Sequence, residues 1–174
     1  MKKEIIFDDK ETNLILYNFI NDILKSDVNF NNAVIIGIKN GGIHLAGLIK
    51  KAVREHFMID CEIGYIDMTL YRDDPFSVKK STNATELVFD INNKEVILVD
   101  DVISSGRTVR ASIDEIFDFG RPEQIRLAVF IDKGGRELPI CPDFTGKKIK
   151  AGKKEIINVD VLNDKKFVEK YELQ

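Results

Sequence analysis

Two adjacent carboxylates, Asp100 and Asp101, follow the apolar run Val96-Ile97-Leu98-Val99 and stand just ahead of Ser104-Ser105-Gly106-Arg107-Thr108. A run this rich in β-branched residues reads as a buried strand of a parallel sheet. The acid pair then falls at the carboxyl end of the strand, where open α/β sheets bind their ligands. The turn that follows opens a helix at Thr108, so its backbone N–H groups and the positive end of the helix dipole suit an anion, most naturally a phosphate. Carboxylates beside such a cradle call for a ligand that also offers hydroxyls or carries a Mg2+ ion, and a sugar phosphate satisfies both. No Gly-Lys-Ser/Thr follows, which excludes a Walker A loop. The competing structural reading is an acid pair that merely caps the next helix.

A second anion loop fits at Lys39-Asn40-Gly41-Gly42, which also follows a strand and opens a helix. Taken alone, a Gly-Gly turn at that place is equally an ordinary turn. Between Tyr71 and Asn93 the hydrophobic pattern disappears, and a loop this long in a compact domain is usually functional. The physical reading of residues 71–93 is a lid that closes over a substrate and excludes water. A hairpin insertion or a subunit-contact arm is the alternative.

The elements that must position these groups alternate between helix and strand. Ile5-Ile6-Phe7 is β-like, and Asp8 or Asp9 can cap a helix carrying Leu16, Phe19, Ile20, Ile23 and Leu24 at helical spacing. Ala33 to Ile38 reads as a strand, Ile43 to about Glu55 as a helix, and Glu62 to Leu70 as a strand. Val96 to Asp100 is the strand under the acid pair, and Val109 to Phe119 is a helix that stops at Gly120 before Pro122. Ile125 to Ile131 is another buried strand, and Glu155 to Val161 is expected to be the last. The pattern predicts an α/β fold, a twisted and mostly parallel sheet flanked by helices on both faces.

Bulk properties agree with one domain spanning residues 1–174, long enough to bury roughly two thirds of its unfolded surface. Charged residues make up 32% and hydrophobic ones 44%, with a formal net charge of −3, so the overall balance demands no nucleic-acid partner. Cys61 and Cys141 lack metal-site spacing. The start is not patterned as a signal peptide and no apolar run reaches membrane-spanning length, so a cytoplasmic chain with no membrane partner is expected. Neither His44 nor His56 sits in a readable nucleophile–base arrangement, and both are expected on helix surfaces.

The acid-pair stretch resembles the phosphoribosyl pyrophosphate (PRPP) motif of the type I phosphoribosyltransferases, and other segments narrow the resemblance to the PyrR family. These are Thr69-Leu70-Tyr71-Arg72-Asp73-Asp74, the extension through Val109-Arg110-Ala111, Gly120-Arg121-Pro122, and Leu127 through Ile140 with its Asp132-Lys133-Gly134-Gly135-Arg136-Glu137-Leu138-Pro139. The similarity covers about Ala33 to Gly146. PyrR proteins are uracil phosphoribosyltransferases that in many bacteria also bind pyrimidine-operon mRNA and attenuate its transcription.

The resemblance implies a type I phosphoribosyltransferase fold and Mg2+-dependent conversion of PRPP and uracil into UMP and pyrophosphate. Asp100 and Asp101 would hold the ribose, directly or through hydrated Mg2+. Ser104, Ser105, Gly106, Arg107 and Thr108 would enclose the 5′-phosphate. Lys39, Asn40, Gly41 and Gly42 would meet the pyrophosphate together with Arg72 from the lid, where Lys79 and Lys80 are further candidates. Asp132 and Lys133 would line the base pocket. A homodimer or higher assembly is implied as well.

Ser104-Ser105 departs from the Tyr-Thr common in the family, and purine enzymes usually carry an Asp at the Ser104 position. That tilts the acceptor toward uracil and away from hypoxanthine or guanine, although Asp143-Phe144-Thr145-Gly146 occurs in both branches. RNA-binding relatives carry basic residues on the first helix, whereas Leu14 to Asp22 here has no Lys or Arg. The remaining cations for RNA are Lys133, Arg136, Lys147, Lys148, Lys150, Lys153 and Lys154. A UMP-sensing RNA-binding regulator with little catalysis and a hypoxanthine/guanine phosphoribosyltransferase stay open as alternatives.

Overall fold

The computed structural model describes residues 3–39, 41–67, 85–152 and 154–172. The first half runs β1 (Lys3–Phe7), α1 (Asp9–Leu24), β2 (Ala33–Ile38), α2 (Gly41–Phe57) and β3 (Glu62–Ile66). The second half runs β4 (Glu95–Ile103), α3 (Arg107–Phe119), β5 (Gln124–Asp132), β6 (Phe144–Lys148), β7 (Glu155–Asp160) and β8 (Phe167–Glu172).

Every residue of β2 is buried, as its unbroken apolar sequence requires of a strand covered on both faces. It lies inside a five-stranded parallel sheet of order β3-β2-β4-β5-β6. Side chains alternate across that sheet. Ile35, Ile97, Val99 and Phe130 join α1 and α2 in one core layer, whereas Val34, Ile36, Leu98 and Val129 join α3 in the other. Phe19 of α1 meets Phe130 edge-to-face at 5.8 Å. Each fully buried side chain of this size contributes about 1.5–3 kcal/mol of hydrophobic stabilisation. Asp8 caps α1 and Glu11 returns the favour to the Asp8 N–H in a capping box, which fixes where that helix starts.

The chain leaves β2 through α2 toward β3, and leaves β4 through α3 toward β5 on the opposite face. Strand order therefore reverses between β2 and β4. The loops after these two strands diverge and open a crevice at their carboxyl ends, the position at which such sheets bind ligands. Glycines let α2 begin directly on this edge. A Cβ on Gly37 would come within 2.8 Å of the Gly42 carbonyl oxygen, and one on Gly42 would overlap the Val99 carbonyl.

A second sheet, antiparallel with order β1-β8-β7, was not foreseen. The expectation that Glu155 to Val161 is the last strand is corrected by β8, and β6 adds a further edge to the parallel sheet. Strand β4 runs on through Ile103, so the acid pair lies inside the strand. Helices α2 and α3 begin at Gly41 and Arg107, slightly ahead of the expected Ile43 and Thr108. The predicted lid falls largely outside the described residues, with Arg72, Lys79 and Lys80. Its end, residues 85–93, packs on the body: Glu86 bridges Tyr65, and Ile91 is fully buried against the α3 layer. His56 is exposed as expected, but His44 is half-buried.

Candidate active site

The acid pair is built into the carboxyl end of β4, the strand between β2 and β5. Asp100 is 2% exposed. Its Oδ1 accepts the Asp101 N–H at 2.9 Å, and Asp101 Oδ1 accepts the Val102 N–H at 3.0 Å. Each carboxylate is thus fixed by the amide that follows it. Neither side chain caps α3.

The cap of α3 is Gly106, at φ +90°, a conformation that L side chains rarely adopt. It offers no side-chain acceptor, so the first-turn amides of this 13-residue helix point toward the loop with the positive end of the helix dipole. The Arg107 N–H lies 3.3 Å from Ser105 Oγ. The expected phosphate-loop residues therefore form one continuous turn from Ser104 into α3.

Two adjoining cavities open here. The smaller, about 260 Å³, is lined by Asp100, Asp101, Ser105 and Thr108 on one side and by Asn158 of β7 and Tyr171 of β8 on the other. The larger, about 510 Å³, shares Ser104 and Ser105 and is completed by Lys133, Gly134, Glu137 and Glu155. The second sheet thus roofs the crevice. Its contribution was missed from sequence, because Asn158 is a lone polar residue between Ile157 and Val159, and Tyr171 stands between the charged Lys170 and Glu172.

Lys133 and Asp132 part company. Lys133 lines the larger cavity and donates to the Glu155 carbonyl at 2.8 Å, and burial pushes its ammonium below the ordinary lysine range against the pull of Glu155. Asp132 lines neither described cavity named here. Its carboxylate accepts the Gly134 N–H at 2.9 Å and pairs with Arg136 at 2.8 Å. Of the two residues expected at the base pocket, Lys133 lines the larger cavity and Asp132 does not.

On the other wall, Lys39 Nζ lies 3.4 Å from Asp67 Oδ2. Gly41 and Gly42 form the first turn of α2, with Gly41 directly against Asp101. Asn40 and Arg72 lie outside the described residues. Among the described residues no group of three or more His, Cys, Asp or Glu side chains could hold a metal by itself, and no helix is long and apolar enough to cross a membrane.

Comparison with known proteins agrees with this fold. The family model described as "Phosphoribosyl transferase domain" matches residues 5–165. The bifunctional protein PyrR of Limosilactobacillus fermentum is 44% identical over 144 residues, 80% of either chain. That of Clostridioides difficile is 40% identical over 164 residues, 93% of either chain. Among solved structures, a hypoxanthine-guanine phosphoribosyltransferase from Bacillus anthracis superposes with a TM-score of 0.62 at 20% identity, covering 85% of this chain and 84% of that one. The hypoxanthine phosphoribosyltransferase of Trypanosoma cruzi in complex with IMP gives a TM-score of 0.63 at 18% identity, covering 84% of this chain and 76% of that one. At such identities the structures speak for the fold alone.

Proposed function

The chain belongs to the phosphoribosyltransferase family and, within it, to the PyrR proteins, and from that premise we propose that it makes UMP and pyrophosphate from uracil and PRPP. The observation that carries the reading is the acid pair of β4, with Asp100 buried and Asp101 half-buried, running into a glycine-capped phosphate loop, beside a second cavity large enough for a base.

In this reading the 5′-phosphate sits on the amides of Ser105, Gly106, Arg107 and Thr108, where the dipole of α3 adds to the attraction. Asp100 and Asp101 hold the ribose hydroxyls. Lys39, Gly41 and Gly42, with Asn40 and Arg72, meet the pyrophosphate. The bond from C1′ to the pyrophosphate oxygen breaks, the bond from C1′ to uracil N1 forms, and the N1 proton is released. The protein contributes placement and fixed charges to a cation-like sugar rather than covalent chemistry.

The donor set fits Mg2+. Carboxylate oxygens are hard ligands, and an ion bound by one or two of them takes its remaining oxygens from water and phosphates. Asp100 and Asp101 would hold it, and when bound it neutralises the departing pyrophosphate. Uracil is favoured over a purine because position 104 offers a serine, whose hydroxyl is 3.3 Å from the Gly134 carbonyl, where the purine enzymes place an acid. Lys133 is the cation poised to meet a base carbonyl.

Control of pyrimidine-operon RNA is the second activity that PyrR membership suggests, and fewer groups support it. Lys133 and Arg136 are engaged within the protein. Lys147, Lys148, Lys150 and Lys154 are exposed, and Lys153 lies outside the described residues. Incubating the protein with PRPP, Mg2+ and each free base, then identifying the nucleotide formed, tests the whole reading. UMP as the main product supports it, IMP or GMP replaces uracil by a purine, and no nucleotide from any base leaves a non-catalytic sensor.

A further inference from the structure

The segment after β5 runs alongside the phosphate loop, and Arg136 is its centre. The guanidinium makes three hydrogen bonds, to the loop, to the end of β5 and within its own segment: Nη1 donates to the Ser104 carbonyl at 2.9 Å, Nη2 to Asp132 Oδ2 at 2.8 Å, and Nε to the Ile140 carbonyl at 2.8 Å. One residue on, the Glu137 and Leu138 N–H groups both donate to the Ser105 carbonyl, at 3.0 and 3.1 Å. Gly134 and Gly135, at φ +72° and +78°, make the turn that brings this strap back over the loop. Outside it, the Arg107 guanidinium pairs with Glu137 at 2.8 Å.

A trans peptide unit is planar, with its C=O and the following N–H pointing in opposite directions. Holding the Ser104 carbonyl therefore fixes the Ser105 N–H away from the strap. Holding the Ser105 carbonyl does the same for the Gly106 N–H. The smaller cavity, with the acid pair, takes no lining residue from the strap.

We infer that Arg136 is a positioning residue for the donor phosphate: by holding the Ser104 carbonyl it aims the Ser105 amide at the 5′-phosphate, beside the Gly106 amide set by the Glu137 and Leu138 N–H groups, without touching the ligand itself. The inference rests on the phosphoribosyl reading of the site. It also explains a cation that the sequence offered as an RNA contact. A guanidinium can meet three acceptors lying in one fork, which an ammonium cannot do. Fixing donors before the ligand arrives is what makes them effective.

The test pairs binding with kinetics. In wild-type protein titrated with ribose 5-phosphate, the amide resonances of Ser105 and Gly106 should shift strongly. Arg136→Met should weaken ribose 5-phosphate and raise KM for PRPP by about 10- to 100-fold, the scale expected of a misplacement of roughly 1 Å, while KM for uracil stays within about twofold. Arg136→Lys should recover little of that loss. Unmoved Ser105 and Gly106 amides in a protein that does bind, an unchanged KM for PRPP in a folded Arg136→Met protein, or full recovery by lysine would each overturn the inference. A wild-type protein that does not bind ribose 5-phosphate instead overturns the functional reading beneath it. If Arg136→Met does not fold, Arg136→Lys decides: weakened ribose 5-phosphate binding supports the inference, and wild-type binding overturns it.

Discussion

The Asp101 carboxylate lies directly against the Cα of Gly41, so that a methyl group there would overlap Asp101 Cβ, Cγ and Oδ2. The acid at the end of β4 and the first turn of α2 thus share a wall, with no room between them. Gly41→Ala should push the Asp101 side chain aside. Alanine also suits the first turn of α2, which offsets part of the strain on folding. We expect kcat/KM for PRPP to fall about 100-fold, with only a small shift in the thermal midpoint. Steady-state kinetics beside a melting curve separates the two, and wild-type kinetics in this variant would show that Asp101 needs no such placement.

The acid pair itself has a sharper signature. Asp100→Asn with Asp101→Asn keeps the oxygens that accept the Asp101 and Val102 amides but removes both charges. The double variant should fold and lose most PRPP-dependent turnover, at least about 100-fold. Circular dichroism establishes the fold and UMP formation the activity. Near-normal UMP formation would remove these carboxylates from the reaction.

The stretch from Val96 to Thr108 was legible because three local signals coincide there: continuous apolar residues, paired acids, and a glycine that only a special turn requires. The parallel sheet followed from the same alternation of apolar runs. The second sheet was not legible, and β8 shows why. Its centre is Glu169-Lys170, and Glu169 is only 7% exposed because Lys3 of β1 reaches it at 2.8 Å and Asn158 of β7 at 3.2 Å. Such a buried carboxylate depends on partners far along the chain, which hydropathy cannot foresee. In β6, Phe144 is the one buried position of Phe-Thr-Gly-Lys-Lys, so no pattern remains to read. Arg136 resembled a solvated charge for a related reason, since one of its acceptors, the Ser104 carbonyl, is 32 residues away and the Ile140 carbonyl is reached only through the fold of its own loop.

Lys133 makes stability depend on pH in a definite direction. Burial holds its folded pKa below the ordinary 10.5, so the unfolded chain binds more protons between the two values. Stability gained from this group therefore rises with pH through that window and is complete above 10.5. Lys133→Met should lack this rise relative to wild type in urea titrations at a series of alkaline pH values. Parallel profiles for the two proteins would show that Lys133 is not buried as described.

At the opposite end of β4 from the acids, Glu95 holds Arg126 at 2.6 Å and accepts the Asn29 N–H at 3.0 Å. Arg126 also reaches exposed Asp27 at 2.8 Å. Arg126→Met leaves the mostly buried Glu95 carboxylate without its cation and should cost about 3 kcal/mol in urea unfolding, with kcat unchanged. The hydrogen bond from Arg126 also keeps the Asp27 carboxyl below its usual range. Its stabilisation is present above the ordinary Asp value and fades as pH falls through the lowered one. A variant as stable as wild type would mean that Glu95 is well solvated.

RNA affinity follows from counting cations that face water. With Lys133 and Arg136 engaged internally, the exposed candidates named from sequence and described here are Lys147, Lys148, Lys150 and Lys154. Helix α1 adds none between Leu14 and Asp22, and Leu14 and Tyr17 on it are exposed apolar residues instead. About four phosphate contacts give a slope near −3 in a plot of log affinity against log salt for single-stranded RNA, a loss of roughly 50-fold between 50 and 200 mM. Filter binding of a pyrimidine-operon leader across that range should therefore show weak, strongly salt-sensitive association. Tight binding at physiological salt that UMP strengthens would require a cationic surface elsewhere, and would make regulation of RNA a full second activity of this chain.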